Sequence, residues 1–524
     1  MKLRLLLPSL VLAGLSLHAQ NSNTIRVFLK DKGSSKTLLA HPEKVLSPDA
    51  LKRRALQDIP LQLSDLPIAP EYREEIKGIG GQIKAHSKWL NYLLVEHDQP
   101  DVLLSLPFVD HIEFPQAHHS ALAGLSGDTF SYALGQGQIA MLSGDSLHRS
   151  GYTGRGITIA VIDAGFYRTN TLNAFDSLRN SGRLLGTYNF INGDTNVYTG
   201  NGLHGTEVLS TMAAMDTLLM VGTAPHANYW LLSSENIHHE RPIEMDHWVM
   251  AAEFADSVGA HVINSSLSYK TFDNPSHNYT YSQMDGNTTV ITKAADIAAS
   301  KGILVVIAAG NSGDGPLPHI GAPADADSVL TVGAVTWESD YALFSSRGPS
   351  ADGRVKPDVM AQGSPTIVLQ ENSLANVEFG TSYAAPLIAG LAACLIEANP
   401  ARHSEEIANF IRQSAHLYSS PNDSMGYGIP NFGIALSLSE PKFIAQEIDF
   451  NIYPNPSKDH IIIQSNASEP WESKLIIYDM RGKIIQTQDL ASENAMRVKF
   501  NLDPGLYIFK LVGDLAGSYR VLVD

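Results

Sequence analysis

One cysteine, Cys394, stands in a chain of 524 residues, so no internal disulfide can form and a cysteine-rich metal site is excluded. Its surroundings, Leu391-Ala392-Ala393-Cys394-Leu395-Ile396, are apolar. The thiol is therefore expected to pack as a small buried hydrophobe. Basic charge is also scarce: 37 Lys and Arg against 54 Asp and Glu leave a net charge of −17. Binding to nucleic acid requires clustered basic side chains that displace counterions, so no such partner is expected. The acidic surplus is a solubility feature and points to no partner. Long hydrophobic runs are missing beyond the N-terminus, so no transmembrane segment is expected. The one such run, residues 5–17, follows Lys2 and Arg4 and precedes Ala19-Gln20. It is too short to cross a bilayer comfortably and reads as the core of a cleaved signal peptide over 1–19.

What is present is enough for two to four domains with ordinary cores, with hydrophobic residues at 44% and charged residues at 17%. Residues 20–125 contain strand-like runs at 24–29 and 88–95 around a charged segment with Lys52-Arg53-Arg54 and Glu74-Glu75. This predicts a small α+β unit with no catalytic constellation of its own. Residues 126–437 alternate short apolar strands, at 157–162, 229–232, 261–264, 303–308 and 329–332, with helical stretches such as 244–257 and 292–300. That alternation predicts a parallel α/β sheet covered on both faces, with functional groups at the carboxyl ends of its strands. A break and linker follow at 438–449. Residues 450–524 carry seven short strand-like runs, two of them joined by a tight turn at Asp479-Met480-Arg481-Gly482, and predict a small β-sandwich.

Three short segments place reactive side chains where such a sheet exposes them. Ile159-Ala160-Val161-Ile162-Asp163-Ala164-Gly165 ends a buried strand in a carboxylate. Asn201-Gly202-Leu203-His204-Gly205-Thr206-Glu207 sets a histidine ahead of a helical stretch. Phe379-Gly380-Thr381-Ser382-Tyr383-Ala384-Ala385-Pro386 sets a serine at the start of a small-residue helix over 384–397. A serine hydroxyl attacks a carbonyl only when a neutral imidazole takes its proton, and the imidazole needs a carboxylate to hold its tautomer. The oxyanion that forms needs a donor, and Ile307-Ala308-Ala309-Gly310-Asn311-Ser312-Gly313 offers the Asn311 amide after a glycine turn. Taken singly, Asp163 reads as a turn residue, His204 as a surface histidine and Ser382 as a helix cap; their joint order carries the chemistry. His118-His119 and His238-His239 lack the helical spacing and flanking acids of a zinc motif and read as loop histidines. Glu235 and Glu240 flank the second pair and either line a channel or bind an ion.

The order Asp163, His204, Asn311, Ser382 resembles the subtilisin-like (subtilase) family of serine proteases. His204-Gly205-Thr206, Gly222-Thr223-Ala224-Pro225, Val262-Ile263-Asn264-Ser265-Ser266-Leu267 and Gly380-Thr381-Ser382-Tyr383-Ala384-Ala385-Pro386 carry the resemblance over about 300 residues. It implies a secreted endopeptidase with Ser382 as nucleophile, His204 as general base, Asp163 as orienting carboxylate and Asn311 in the oxyanion hole. It puts Ser265, Ser266, Leu267 and Ser268 along one wall of the substrate channel and Ala308, Ala309 and Gly310 along the other. Two departures stand out: Ala164 replaces the usual Ser or Thr, and Ser268 the usual Gly, where a side chain narrows the pocket for the residue before the scissile bond.

The resemblance further implies protein or peptide substrates and a propeptide over 20–125 that assists folding and inhibits the enzyme, with a plain accessory domain as the alternative. No cofactor is needed for the chemistry, and structural calcium is allowed for without assignable ligands. Tyr453-Pro454-Asn455-Pro456 and Gly505-Leu506-Tyr507-Ile508-Phe509-Lys510 resemble the C-terminal sorting domains of the type IX secretion system of Bacteroidota. That implies passage through the periplasm and outer membrane to the surface or medium; the alternative is a stabilising or substrate-binding β-domain. The competing functional class is a non-catalytic or dedicated-partner surface protein on the same scaffold. For the enzyme, the rate is expected to rise through an unperturbed histidine pKa near ~6.5.

Overall fold

The computed structural model describes residues 24–113, 132–200, 202–439, 450–465, 470–479, 484–492, 495–513 and 517–524. The expected signal peptide, the junction at residue 125, His118-His119, most of the 438–449 linker and turn residues 480–482 lie outside the described residues. The chain divides into two compact units, Met1–Glu440 and Pro441–Asp524.

The first unit begins with a four-stranded antiparallel sheet: β1 (Thr24–Leu29), β2 (Gln82–Ser87), β3 (Tyr92–Glu96) and β4 (Val109–Glu113), in the order β2-β3-β1-β4. Helices α1 (Pro48–Leu56) and α2 (Pro70–Gly78) connect β1 to β2, each with proline in its first turn, where the missing N–H costs nothing. Ile25, Val27, Ile76, Leu93 and Val95 form the core of this α+β part.

Seven parallel strands then form the main sheet: β5 (Thr158–Asp163), β6 (Leu184–Asn189), β7 (Asn228–Ser233), β8 (Val262–Ser265), β9 (Leu304–Ala308), β10 (Leu330–Thr336) and β11 (Val359–Ser364). Their order is β11-β10-β9-β8-β5-β7-β6. Alternation across the pleat sends Ile159 and Val161 to one face and Ala160 and Ile162 to the other. The first face is covered by α3 (His204–Ala213) and α6 (Thr381–Ala398), the second by α4 (Pro242–Ser257) and α5 (Val290–Ser300). From β5 the chain moves to β6 and β7 on one side and returns to β8 on the other. The crevice at the carboxyl ends of β5 and β8 is therefore a topological switch point, where ligands bind in such sheets.

Two strands of the main sheet are not anticipated from the sequence. β6 is a half-exposed edge strand, and β11 ends in Gln362, Gly363 and Ser364, so neither is the uniform apolar run of a central strand. The helix bearing Ser382 starts at Thr381, three residues earlier than expected, and the helix Phe432–Ser439 runs past the expected end of the domain at 437. The expectation that no later segment is long and apolar enough to cross a membrane needs correcting: α6 is, at 18 residues. Its apolar residues instead fill the core, with 83% of the helix buried. Cys394 lies within it, buried, its Sγ 3.3 Å from the Thr223 carbonyl oxygen.

The outer side of α4 carries three acids at helical spacing, Asp246, Glu253 and Asp256, and all three are buried by the α+β part. Arg26 forks onto Asp246 with two contacts of 2.7 Å. Glu253 accepts from Ser87 Oγ at 2.6 Å and from the N–H groups of Lys88 and Trp89 at 2.9 Å each. Asp256 receives Arg53 and Arg54, and Arg54 also forks onto Asp65. Arg53 and Arg54 of the charged segment thus belong to an interior ion network, held by hydrogen-bonded partners as burial demands, while Lys52 is exposed.

In the second unit all seven expected strands are found, as β12 (Phe450–Tyr453), β13 (His460–Ser465), β14 (Trp471–Asp479), β15 (Ile484–Ser492), β16 (Ala495–Lys499), β17 (Gly505–Gly513) and β18 (Gly517–Val523). They form two antiparallel sheets, β12-β13-β16 and β15-β14-β17-β18. Ile461, Ile463, Leu475, Ile477, Phe509 and Val521 form the core of this sandwich.

Candidate active site

β5 ends in Asp163, which is fully buried. Its Oδ1 accepts from His204 Nδ1 at 2.7 Å and from the Ala164 N–H at 2.8 Å. Oδ2 accepts no hydrogen bond from the described residues, and Ala164 brings no hydroxyl to the place. A carboxylate acceptor fixes the proton on Nδ1, which leaves Nε2 as the basic nitrogen. Gly205 allows this approach: a Cβ there would lie 2.3 Å from the Gly165 carbonyl oxygen and 3.0 Å from Asp163 Cβ. Burial alone pushes the imidazole down. The Asp163 charge and hydrogen bond, with Glu207 and Glu235 behind them, outweigh it and raise His204 to about 9. This differs from the unperturbed value expected from sequence.

Ser382 is the second residue of α6, so its N–H has no carbonyl partner within the helix. Pro386, four residues on, has no N–H to give the Ser382 carbonyl. Ser266 Oγ takes that place, donating to Ser382 O at 2.7 Å. The helix start is thereby tied to the segment following β8. The Ser382 hydroxyl donates to the Ser266 carbonyl at 3.3 Å, and no hydrogen bond joins it to His204 among the described residues.

Asn311 follows β9 and a turn at Gly310, whose φ of +97° suits glycine. Asn311 Oδ1 accepts from the Thr381 N–H at 2.9 Å and from Thr381 Oγ1 at 2.9 Å. A backbone N–H can only donate, so the amide orientation is fixed and Nδ2 is turned outward. That Nδ2 lies 3.4 Å from where a Cβ of Gly380 would be. The Ser382 nitrogen lies 3.6 Å from the same point, so the Asn311 amide and the Ser382 N–H are near neighbours.

Of the expected channel walls, Ser265, Ala308 and Ala309 have their side chains in the core, and Ser265 Oγ accepts from Trp248 Nε1 at 2.8 Å. Leu267 is buried too. Ser266, Leu267 and Ser268 make no backbone–backbone hydrogen bonds among the described residues; apart from the Ser266 carbonyl, which accepts from Ser382 Oγ, their main-chain groups are open to pairing with an extended peptide. Ser268 Oγ has no partner and lies against two glycine backbones: added Cβ atoms at Gly310 and Gly321 would sit 2.9 and 2.5 Å from it.

Glu207 and Tyr383, not assigned a role from sequence, gather here with Glu235, which was expected to line a channel or bind an ion. Glu207 and Tyr383 pack beside His204; the three-residue spacing of His204 and Glu207 on a helix was the legible signal. Glu235, after β7, faces the pair Asp163 and His204. Burial pushes its carboxyl up, the Tyr269 phenol partly offsets this, and the Asp163 charge adds to it. Glu244 caps α4, accepting from the Asn236 N–H at 2.8 Å and from the Arg241 N–H. His239 pairs with Asp273 at 3.1 Å. No group of three or more His, Cys, Asp or Glu placed to hold a metal ion occurs among the described residues, and calcium has no assigned ligands.

Residues 154–428, just over half of the chain, match the sequence profile of the "Subtilase family". Residues 24–126 match "Peptidase S8 propeptide domain, Bacteroidota", and residues 451–520 match "Secretion system C-terminal sorting domain". Among curated proteins, Subtilisin DY of Bacillus licheniformis is 31% identical over 292 residues, covering 55% of this chain and 93% of that one. Subtilisin Savinase of Lederbergia lenta is 30% identical over 294 residues, 56% and 95% of the two chains. Subtilisin E of Bacillus subtilis (strain 168) is 27% identical over 364 residues, 68% and 84%.

Proposed function

The chain belongs to the subtilase family, and from that premise we propose how its residues divide the work of peptide hydrolysis. It is a serine-type endopeptidase with a propeptide domain ahead of the catalytic domain and a secretion sorting domain behind it, which makes it a secreted or cell-surface protein. Within that frame, Ser382 is the nucleophile, His204 the general base and Asp163 the carboxylate that orients it. The observation that carries this reading is the 2.7 Å contact between His204 Nδ1 and the buried Asp163. It leaves Nε2 basic at the end of the sheet where α6 presents Ser382.

In the proposed reaction, Ser382 turns about χ1 from the Ser266 carbonyl toward His204 Nε2. The hydroxyl proton passes to Nε2 as Oγ attacks the substrate carbonyl. The oxyanion is received by Asn311 Nδ2 and the Ser382 N–H. The imidazolium, stabilised by Asp163, then protonates the leaving amine and an acyl-enzyme remains on Ser382. Water, activated by the same imidazole, hydrolyses it. The substrate lies extended along the free main chain of Ser266–Ser268, a mode that reads backbone more than side chains and supports broad specificity. Ser268 narrows the pocket for the residue before the scissile bond.

The proposed division of the chain is a signal peptide over 1–19, a propeptide over 20–125, a catalytic domain over 126–437, a linker over 438–449 and a sorting domain over 450–524. Passage runs through the periplasm and then the outer membrane. The test is purification of the wild type and of Ser382→Ala. The variant is expected to leave casein intact and to accumulate with residues 20 to about 125 attached. Casein cleavage at wild-type rate by Ser382→Ala would overturn the assignment.

A further inference from the structure

Glu207 sits one helical turn beyond His204 on α3 and is 6% exposed. A carboxylate buried in this way needs donors. The first is Tyr383, the residue directly after Ser382, whose hydroxyl donates to Glu207 Oε2 at 2.9 Å. The second is Gln370, whose Nε2 donates to Glu207 Oε1 at 3.4 Å and also reaches Glu378 Oε1 at 3.5 Å. The Tyr383 ring in turn packs on the imidazole of His204, with 5.7 Å between centroids and 47° between planes. The residue after the nucleophile is thus hydrogen-bonded to the residue one turn beyond the base, between helices that no other side chain–side chain hydrogen bond links at their starts among the described residues.

We propose that Glu207 and Tyr383 form a positioning pair for His204. Their hydrogen bond ties the start of α3 to the start of α6, sets the spacing of base and nucleophile, and makes the phenol ring the wall that fixes the imidazole plane toward Asp163. The inference rests on the reading of Asp163, His204 and Ser382 given above. Neither residue touches the reacting atoms.

The pair is also an electrostatic device. The imidazole is faced by Asp163 from β5, by Glu207 from its own helix, by Glu235 from the loop after β7, and by Glu378 from the hairpin Thr366–Leu369/Ala375–Glu378. Glu207 is faced by Tyr383, His204, Glu378 and Gln370. Burial raises the Glu207 carboxyl to about 7, with Tyr383 and His204 holding it back. That lies below the value of about 9 reached by His204, so Glu207 is anionic while the imidazole gives up its proton. Its charge therefore favours the imidazolium.

The test compares Tyr383→Phe, Glu207→Gln and the double variant, each processed and checked for an unchanged melting temperature, by kcat/KM against pH. Tyr383→Phe keeps the ring and removes only the hydrogen bond; kcat/KM is expected to fall about tenfold, the worth of one buried hydrogen bond. Glu207→Gln removes a charge facing the imidazolium and is expected to move the acid limb to lower pH, a shift that loss of packing would not produce. The double variant is expected to lose less than the sum of the two single losses, since an amide in place of the carboxylate already weakens the bond that Tyr383→Phe removes. Wild-type kcat/KM and pH midpoint in the two single variants, or losses that simply add, would overturn the pair. Ser382→Ala runs alongside: activity in that control refutes the triad, whereas an inactive control with wild-type pair variants refutes the pair alone.

Discussion

In the proposed mechanism Asn311→Ala removes the side-chain donor to the oxyanion, and with it the acceptor of the Thr381 N–H and hydroxyl. Asn311 is exposed, so its truncation leaves no cavity in the core. Its amide is held ready by two bonds to Thr381, both of 2.9 Å, and this pre-organisation is what gives such a donor its effect in the transition state. Removing a donor of this kind costs about 3–4 kcal/mol, a fall in kcat of ~10²–10³. The donor meets full charge only in the transition state, so kcat should fall while KM stays near its original value. Thr381→Val supplies the graded companion. It deletes the hydroxyl that donates to Asn311 and accepts from the Gly310 N–H at 3.1 Å, yet keeps the Thr381 N–H anchor, so about a tenfold fall is expected. Stopped-time hydrolysis of a chromogenic peptide by the processed enzymes gives both constants, with the melting temperature as control. A loss confined to KM, or Asn311→Ala with an unchanged kcat, would refute the assignment of the oxyanion hole.

The raised His204 value gives a pH prediction with a definite sign. The base acts only when neutral, so kcat/KM should climb through a midpoint displaced from ~6.5 toward about 9. The same ion pair stabilises the folded state fully below the unfolded histidine pKa and loses that contribution as pH rises through the folded one. A pH–rate profile with its midpoint at or below the unperturbed value would contradict this. Ser268→Gly removes the hydroxymethyl group packed on Gly310 and Gly321, and cleavage-site profiling should show the preference before the scissile bond moving to larger side chains. In the Ser382→Ala precursor, Arg53→Met strips Asp256 of one of its two arginines. Breaking such a buried pair costs ~3–5 kcal/mol, and calorimetry should record a lower melting transition.

Several of these features were legible in the sequence for identifiable reasons. The five central strands are short and almost uniformly apolar because both faces are covered, and the sandwich strands alternate about regular turns. β6 escaped notice because it is an edge strand, and Gly186 within it is required by Trp230, whose ring would lie 2.4 Å from a Cβ there. The catalytic candidates could be read because each lies in a short motif whose glycines and small residues are explained by close backbone approach, as at Gly205. Partners far apart in the chain could not be read. Arg53 and Asp256 are 203 residues apart and Tyr383 and Glu207 are 176 apart, and nothing local distinguishes these from solvated charges or an ordinary core aromatic. The offset of His204 from its ordinary pKa likewise depends on Glu207 and Glu235 meeting Asp163 in space.

Peptide mapping by mass spectrometry of the adduct formed between the processed protein and a fluorophosphonate probe tests the triad most directly. One adduct on Ser382 is expected, lost together with casein cleavage in His204→Ala. Labelling at another residue with Ser382 unmodified, or full cleavage after His204→Ala, would contradict the assignment of nucleophile and base.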